Sequence, residues 1–319
     1  MSAKEEVLKT LEENRGEYFS GQQLADSIGV SRNAVWKAVN YLKEEGYEIE
    51  SVTNKGYCLK ENTDILSAEG ILCYASPSEI HVYKEIDSTN EEAKRLITKG
   101  APHGTLIVAN RQTAGKGRRG RAFFSPADTG IYLSVVLKPD LELTESVLIT
   151  TAASVAVSKA IENVYGIRCG IKWVNDVYYN EHKICGILTE ATADFETGDM
   201  QSLIVGIGVN ITTKEFPDEV DKVAGALLSQ ENPGLRCRLC AEIYSELMKM
   251  AESLPNNAFM EEYKKRSIVI GKYIRYTKKD GWLTGKAVGI DDNGGLIVDS
   301  DTEGRIVLSS GEISIRVNE

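Results

Sequence analysis

The chain has 319 residues, of which 42% are hydrophobic and 26% charged, and its formal net charge is -10 at pH 7. This length and composition predict a folded protein of about two domains. The acidic balance excludes a surface built as a whole for nucleic acid, so any anion site must be local. The N-terminal stretch is acidic and no apolar run reaches about 18 residues, so we expect a cytoplasmic protein without a membrane span.

The cysteines and histidines give no sign of a metal site. The six cysteines are scattered along a long chain, and we expect reduced thiols rather than disulfides. Cys237 and Cys240 form a lone CxxC without a second pair. The three histidines, at positions 81, 103 and 182, form no cluster in the sequence. We therefore predict no metal-binding residues.

The first 46 residues predict three short helices. The stretch AKEEVLKTLEEN carries apolar residues at helical spacing. Ser20 and Gln23 form a capping box for a second helix, which ends at Gly29. Ser31 caps a third helix that ends at Gly46.

A two-stranded hairpin follows, because YEIESVTNKGYCL alternates about a polar turn at 53–56. This order predicts a winged helix-turn-helix DNA-binding domain over residues 1–64, with its third helix in the major groove. The region has more acidic than basic residues, so a winged helix that contacts only protein stays an alternative. The predicted DNA contacts are Ser20, Gln22, Gln23, Ser31, Arg32, Asn33, Trp36, Lys37, Asn40 and Lys55.

Residues 65–268 alternate strand-like and helix-like segments and predict a mixed-sheet α/β domain. The predicted strands are 81–86, 104–110, 131–137, 170–174, 183–190 and 202–211, and the predicted helices are 89–99, 144–163 and 235–253. Residues 269–319 change to short β-rich runs joined by glycine turns, which predict a small SH3-like barrel. The fold class is therefore multidomain α/β (α+β).

The loop RQTAGKGRRGR, residues 111–121, holds five cations, three glycines and no carboxylate. Its glycines satisfy G-x-G-x-x-G, the pattern of a dinucleotide-binding turn. However, Pro126 and Gly130 interrupt the helix that such a turn must open. The sequence also lacks the Lys-Ser/Thr pair of a phosphate-binding loop. Side-chain cations must then hold the anion, and we expect the loop to become ordered over its ligand.

A set of motifs in a fixed order extends beyond this loop. Ser88-Thr89-Asn90, Gln112, GKGRRGR, KWVND, KICGIL, GIGVN and GEISIR follow one another along the chain. In this order they resemble the biotin protein ligases, and with the winged helix the chain resembles the bifunctional type that also represses the biotin operon. Three positions depart from the family's pattern: Lys116 replaces an arginine, Val174 a proline and Phe123 a tryptophan. Lys116 keeps the charge but loses bidentate phosphate geometry.

The resemblance implies that biotin reacts with ATP to give biotinyl-5'-AMP, and that a carrier-protein lysine then takes the biotinyl group. It implies Lys183, Arg118 and Asp176 as catalytic residues, although Asp176 also suits a turn cap or a metal-positioning role. It implies biotin contacts from Ser88, Thr89, Asn90, Gln112, Lys116, Gly117, Arg118 and Lys183. It implies nucleotide contacts from Arg119, Arg121, Trp173, Asn175, Asn210 and Arg316.

The resemblance further implies ATP and Mg²⁺ as cofactors, and a biotin carboxyl carrier protein, an inverted-repeat operator DNA and a second copy of the chain as partners. Three other functions remain open. A lipoate protein ligase shares this kind of catalytic domain. A ligand-sensing transcription factor without catalysis is a different class, and a nicotinamide oxidoreductase is a third.

Overall fold

A computed structural model describes residues 2–138, 146–193, 200–229, 234–254, 257–278, 281–309 and 313–315. The chain divides into two compact units. Unit 1 contains residues 1–77 and 230–242, and unit 2 contains residues 78–229 and 243–319. The division into domains at 1–64, 65–268 and 269–319 stays a prediction.

Unit 1 begins with the three predicted helices, α1 (Ala3–Glu13), α2 (Gly21–Ile28) and α3 (Arg32–Glu44). The strands β1 (Ile49–Val52) and β2 (Gly56–Leu59) pair in antiparallel fashion and form the wing. The capping box of α2 is present as predicted, since Ser20 Oγ accepts from the Gln23 amide at 3.1 Å and Gln23 Oε1 from the Ser20 amide at 2.8 Å. The winged helix-turn-helix is therefore confirmed as a fold.

A clamp of two arginines fixes the segment after the wing within unit 1. Arg15 donates to the carbonyls of Glu61 and Thr63, at 2.9 Å each. Arg236, which is 2% exposed, donates from Nε to Asp64 Oδ2 at 2.7 Å and from Nη2 to the Asp64 carbonyl at 2.9 Å. Breaking a buried, hydrogen-bonded charge pair is costly, so Arg236 ties a distant part of the sequence to this unit. This link was not predicted.

Unit 2 is built on a seven-stranded mixed sheet, in the order β3-β4-β5-β9-β8-β7-β6. Its strands are β3 (Glu79–Tyr83), β4 (Thr105–Ala109), β5 (Gly130–Leu137), β6 (Gly170–Lys172), β7 (Asp176–Tyr179), β8 (His182–Ala193) and β9 (Met200–Asn210). Only β3 and β4 are parallel; the other neighbours are antiparallel. The inner strand β5 is buried along its whole length, and its sequence GIYLSVVL is apolar apart from Ser134.

Two helices cover opposite faces of this sheet. Neighbouring residues of a strand point to opposite faces. In β8, Thr189 bonds to Thr150 of helix α6 (Ser146–Tyr165), whereas Glu190 bonds to Lys94 of α5 (Thr89–Ile97). α6 is long and apolar enough to cross a membrane, but 67% of its apolar window is buried inside the protein, as in a core helix.

The remaining elements are short or lie toward the C-terminus. The helices are α4 (Ala68–Leu72), α7 (Asp218–Asp221), α8 (Arg236–Glu252) and α9 (Phe259–Arg266). The C-terminal strands are β10 (Tyr273–Lys278), β11 (Gly281–Ile290), β12 (Leu296–Ser300), β13 (Gly304–Leu308) and β14 (Ile313–Ile315). They form one antiparallel sheet in the order β13-β12-β11-β10-β14. The expected C-terminal β domain is thus confirmed, as an open sheet over the described residues.

Candidate functional site

Glycines open a space on the α5 face of the central sheet. Gly186 of β8 and Gly208 of β9 are directly paired. A Cβ atom added at Gly208 would lie 2.3 Å from Phe123 Cε1, and one at Gly186 would lie 3.1 Å from Phe123 Cε2. The Phe123 ring therefore rests on these two glycines, and it also contacts Tyr132 edge-on at a centroid distance of 6.3 Å. Glycine weakens a strand and often marks a close approach, which here is the approach of the loop.

A network of neutral polar groups borders this glycine floor. Gln112 Oε1 accepts from the Thr89 amide at 2.8 Å and from its hydroxyl at 3.1 Å, and Gln112 Nε2 donates to Ser125 Oγ at 2.9 Å. Ser88 is 2% exposed and occupies the N-cap of α5, but its side chain caps no backbone N–H. These neutral donors and acceptors suit a neutral polar ring.

Asn90 connects that network to a charged cluster. The hydroxyl of Ser134 lies 2.6 Å from Asn90 Oδ1, and Asn90 Nδ2 donates to Glu190 Oε2 at 2.7 Å. Asn90 is 3% exposed, and a Cβ atom at Gly206 would lie 2.2 Å from its Oδ1. A side chain at position 206 would therefore displace Asn90.

The cationic loop folds as a tight hairpin. The Phe123 amide donates to the Gly115 carbonyl and the Gly117 amide to the Arg121 carbonyl, both at 2.8 Å. Arg118–Gly120 form a single 3-10 turn, in which Arg119 has a φ of 58°. This left-handed conformation costs a non-glycine residue energy, so the turn is held by its surroundings.

Cations of the loop reach helix α5, the turn between β6 and β7, and strand β10 of unit 2. Lys116 Nζ lies 2.6 Å from Glu91 Oε1 of α5. Arg118 Nη1 donates to Asn175 Oδ1 at 2.9 Å, and Arg119 Nη2 donates to Thr277 Oγ1 of β10 at 3.3 Å. Each of these three cations is thus held by a side chain from another part of unit 2.

Lys183 and Asp176 form an ion pair on the β7–β8 hairpin. Lys183 Nζ lies 2.7 Å from Asp176 Oδ1, but that oxygen accepts no aligned hydrogen bond. Both side chains are partly exposed, at 29% and 22%. A Cβ atom at Gly186 would lie 3.4 Å from Lys183 Nζ, so the ammonium reaches over the same floor as Phe123.

Two further predicted site residues are buried and bonded. Asn175 Nδ2 donates to the Ile187 carbonyl at 2.8 Å, which aims its Oδ1 at Arg118. Trp173 is 4% exposed and its indole N–H donates to the Gly294 carbonyl at 2.8 Å. Its ring therefore joins the central sheet to the turn before β12.

Asn210 and Arg316 complete the predicted nucleotide contacts. Asn210 is 5% exposed and donates to the Gly225 carbonyl at 3.2 Å, while its Oδ1 has no hydrogen-bond partner among the described residues. A buried amide oxygen without a partner is unfavourable and favours a ligand there. Arg316 lies outside the described residues.

Two groups of exposed apolar side chains, one at Phe124 and one in the segment that pairs with Lys183, were not predicted. Phe124 is 40% exposed and meets Phe216 at a centroid distance of 6.3 Å. Val220 and Val223 are also exposed, and the Val223 carbonyl accepts from the Lys183 amide at 2.8 Å. Exposed apolar groups beside a cationic site suit a ligand with a flat ring.

Comparison with known proteins agrees with this arrangement. Residues 82–210 match the Biotin/lipoate A/B protein ligase family, residues 4–58 an HTH domain and residues 269–316 the biotin protein ligase C-terminal domain. Over 98% of both chains, the sequence is 35% identical to the bifunctional ligase/repressor BirA of Bacillus subtilis (strain 168). The chain belongs to the biotin protein ligase family.

Two further relatives resemble this biotin protein ligase family member over most of its length. The bifunctional ligase/repressor BirA of Escherichia coli (strain K12) is 29% identical over 95% of both chains. The solved structure of a biotin protein ligase from Aquifex aeolicus in complex with biotin and ATP is 30% identical, with a TM-score of 0.63. It covers 75% of this ligase and 99% of that chain.

The winged helix of this ligase presents a polar surface on α3. Arg32, Asn33 and Lys37 are exposed, and Trp36 is 53% exposed. Lys55 is exposed on the wing turn. These exposed side chains suit contacts to phosphates and base edges.

Four predicted DNA contacts of this ligase also make hydrogen bonds within unit 1. Ser20 and Gln23 form the capping box of α2, and Ser31 Oγ accepts from the Ala34 amide at 3.2 Å. Gln22 is exposed but donates to Asp26, and Asn40 is half-buried. A capping serine still has its hydroxyl proton to donate to a phosphate.

The sequence did not identify every residue that shapes the site of this ligase. Glu91, Ser134 and Glu190 form its charged and polar border, and Gly186 and Gly208 form its floor. The one available signal was the spacing of glycines in GIGVN, since glycine is disfavoured inside a strand. Among the described residues, no three His, Cys, Asp or Glu side chains are placed to hold a metal ion.

Proposed function

We propose that this chain activates biotin with ATP, releasing pyrophosphate and forming biotinyl-5'-adenylate, and then transfers the biotinyl group to a lysine of a biotin carboxyl carrier protein. The observation that carries this proposal is the convergence of three features on one glycine floor. These are the neutral network of Thr89 and Gln112, the cationic loop, and Lys183.

The neutral network would hold the ureido ring of biotin. Ser88, Thr89 and Gln112 supply both donors and acceptors, and Asn90 positions α5 against the floor. The backbone of Gly117, with Lys116, Arg118 and Lys183, would surround the carboxylate end. Biotin is thus oriented by its two chemically different ends.

In the first step two anions meet, the biotin carboxylate and the α-phosphate of ATP. The carboxylate is already ionised at pH 7, so no base is needed. Arg118 and Lys183 would stabilise the charge that gathers as the carboxylate attacks phosphorus and pyrophosphate leaves. Asn175 supports this role because it fixes the Arg118 guanidinium at 2.9 Å.

The triphosphate and base would occupy the remaining contacts. Arg119 and Arg121 lie on the loop, Asn210 offers its unpartnered amide oxygen, and Arg316 is proposed from the sequence. Trp173 and Asn175 are buried and would support the nucleotide site through their side chains. The apolar side chains of Phe124, Phe216, Val220 and Val223 would cover the adenine, a contact that the sequence did not predict.

Mg²⁺ usually takes one or two protein carboxylates and uses substrate phosphates and water as its other ligands. Asp176 would supply such a carboxylate, and in this structure its Oδ1 is ion-paired with Lys183 at 2.7 Å. When bound, the ion would neutralise phosphate charge. In the second step the acceptor ammonium loses a proton, its nitrogen attacks the acyl carbon of the adenylate, and AMP leaves. Asp176, the carboxylate paired with Lys183, would accept that proton.

The winged helix supports a second role, repression of biotin operon genes when biotinyl-AMP is bound. One winged helix reads few base edges, so specific binding to an inverted repeat requires a homodimer. The proposed setting is the cytoplasm, where ATP, the carrier protein and DNA are all present.

Pyrophosphate release tests which carboxylic acid the protein activates. We expect release when the protein is mixed with ATP and biotin, and at least about tenfold less with lipoate, because a ureido ring accepts the second Nε2 proton of Gln112, whereas a dithiolane does not. Comparable release with lipoate would favour the lipoate ligase. Tight biotin binding without release would favour a sensor without catalysis.

A further inference from the structure

The loop cation nearest to α5 is paired with a carboxylate of the protein. Lys116 Nζ lies 2.6 Å from Glu91 Oε1, and Lys116 is 47% exposed. Lys116 is also the position at which this chain has lysine instead of the family's arginine. A lysine ammonium is a compact point charge on a flexible stem, whereas a guanidinium is a planar fork that pairs with a carboxylate through two bonds.

Glu91 has a second cationic partner that does not belong to the loop. Lys94 Nζ lies 2.8 Å from Glu91 Oε1 and 2.8 Å from Glu190 Oε1, and Glu190 in turn accepts from Asn90. Lys116 and Lys94 together hold the pKa of Glu91 below its usual value, with Lys116 the larger cause. If Lys116 moves away, Lys94 still satisfies Glu91, so α5 keeps its structure.

The charge balance of this cluster nevertheless changes when Lys116 leaves. Two carboxylates, Glu91 and Glu190, face two ammonium groups, Lys94 and Lys116, and the cluster is neutral. Without Lys116 it carries one negative charge beside the site where an anionic ligand must bind. An anionic ligand that draws Lys116 to itself must therefore overcome the attraction between Lys116 and Glu91.

We propose that Glu91 is a positioning residue that holds Lys116 in the unliganded enzyme and competes with the ligand's carboxylate for it. Glu91 thus lowers the affinity for biotin by acting through Lys116, not by touching biotin. This inference rests on the proposed function, and specifically on Lys116 serving the carboxylate end of biotin.

Glu91→Gln tests the competition, and Glu92→Gln is the matched control. Glu92 lies on the same turn of α5 but bonds to Arg95 and Tyr83, away from the loop. We expect Glu91→Gln to tighten biotin binding about threefold at low salt, the range of a partly exposed ion pair. The gain should shrink as salt screens the pair. Glu91→Asp should restore the affinity of the parent protein.

A neutral analogue, in which an alcohol replaces the carboxylate of biotin, separates competition from a change in fold. Glu91→Gln should leave the affinity for this alcohol unchanged, and Glu92→Gln should leave both affinities unchanged. In a Lys116→Gln background, Glu91→Gln should have a clearly smaller effect on biotin, limited to the loss of one nearby negative charge, because the two residues act together.

Weaker biotin binding in Glu91→Gln would overturn the proposal, since the pair would then help the ligand. Equal tightening for biotin and the alcohol would also overturn it. Failure of the proposed function is distinguishable: the unaltered protein would then release no pyrophosphate from ATP and biotin, whatever Glu91 does.

Discussion

Lys183 is the residue whose charge stands closest to the reacting groups in the proposed mechanism. It faces Asp176 at 2.7 Å and reaches over Gly186, so its ammonium is held at the floor rather than in solvent. Negative charge gathers most at the transition state, and a cation placed there lowers the barrier more than it improves ground-state binding.

We therefore expect Lys183→Ala to reduce the rate of adenylate formation about 100-fold or more, with a much smaller rise in the Kd for biotin. Pre-steady-state pyrophosphate release and equilibrium biotin binding measure the two effects separately. Lys249→Ala is the control, because Lys249 is 75% exposed and lies on α8. Equal losses of binding and rate would remove Lys183 from the chemical step.

At the scale of elements, the cationic loop is the part of the site that a bound ligand should change most. It is held by a few hydrogen bonds within its own hairpin and by side-chain contacts such as Arg118 to Asn175. A mixed anhydride survives only if water is kept away, so the loop must close over it.

We expect amide hydrogen exchange over residues 111–126 to slow when biotin and ATP are added, while exchange in α6 stays the same. Replacing both Arg118 and Arg119 by alanine should speed the escape of adenylate into solution, since each arginine ties the loop to another element. Unchanged exchange while adenylate accumulates would contradict a closing loop.

Sequence periodicity identified the long elements and missed several of the short ones. The alternation in KICGILTE and SLIVGIGVNI predicted β8 and β9, because both are long and flanked by polar turns. β7 has only four residues, and its first, Asp176, looks like part of a turn. The helices α4 and α9, of five and eight residues, were also missed. Short elements depend on packing partners that a local pattern does not contain.

The residues of the site were also only partly predictable from the sequence. The motifs placed Gln112 and Lys183 correctly on the loop and on β8, but the partners Glu190 and Ser134 carry no local signal. They belong to the site only because strand pairing brings their face opposite α5. The glycine pair of Gly186 and Gly208 likewise depends on the register between β8 and β9.

At the scale of the whole molecule, DNA binding should depend on the ligand. Linkage requires a corepressor that tightens DNA binding to be tightened by DNA to the same degree. We expect biotin with ATP to increase the affinity for an inverted repeat in a gel-shift titration, at a salt concentration that suppresses nonspecific binding.

Replacing Arg32 and Lys37 by alanine should weaken that binding about tenfold or more and leave biotin transfer intact. Lys60→Ala is the control, because Lys60 pairs with Glu48 and lies outside the predicted contacts. Identical DNA affinity with and without ligand would leave only the ligase activity. These substitutions test DNA binding more specifically than a deletion of residues 1–60 does. Residues 230–242 belong to the same compact unit, so the deletion would also remove their packing partners.

The clamp of Arg236 on Asp64 has a consequence for how the protein is made. Unit 1 consists of two stretches of sequence separated by residues 78–229, and the second stretch supplies the buried arginine. During synthesis the ribosome therefore releases the winged helix long before its last partner, and most of the central sheet emerges in between. The DNA-binding half of a newly made chain reaches its final stability only after the catalytic half has begun to fold.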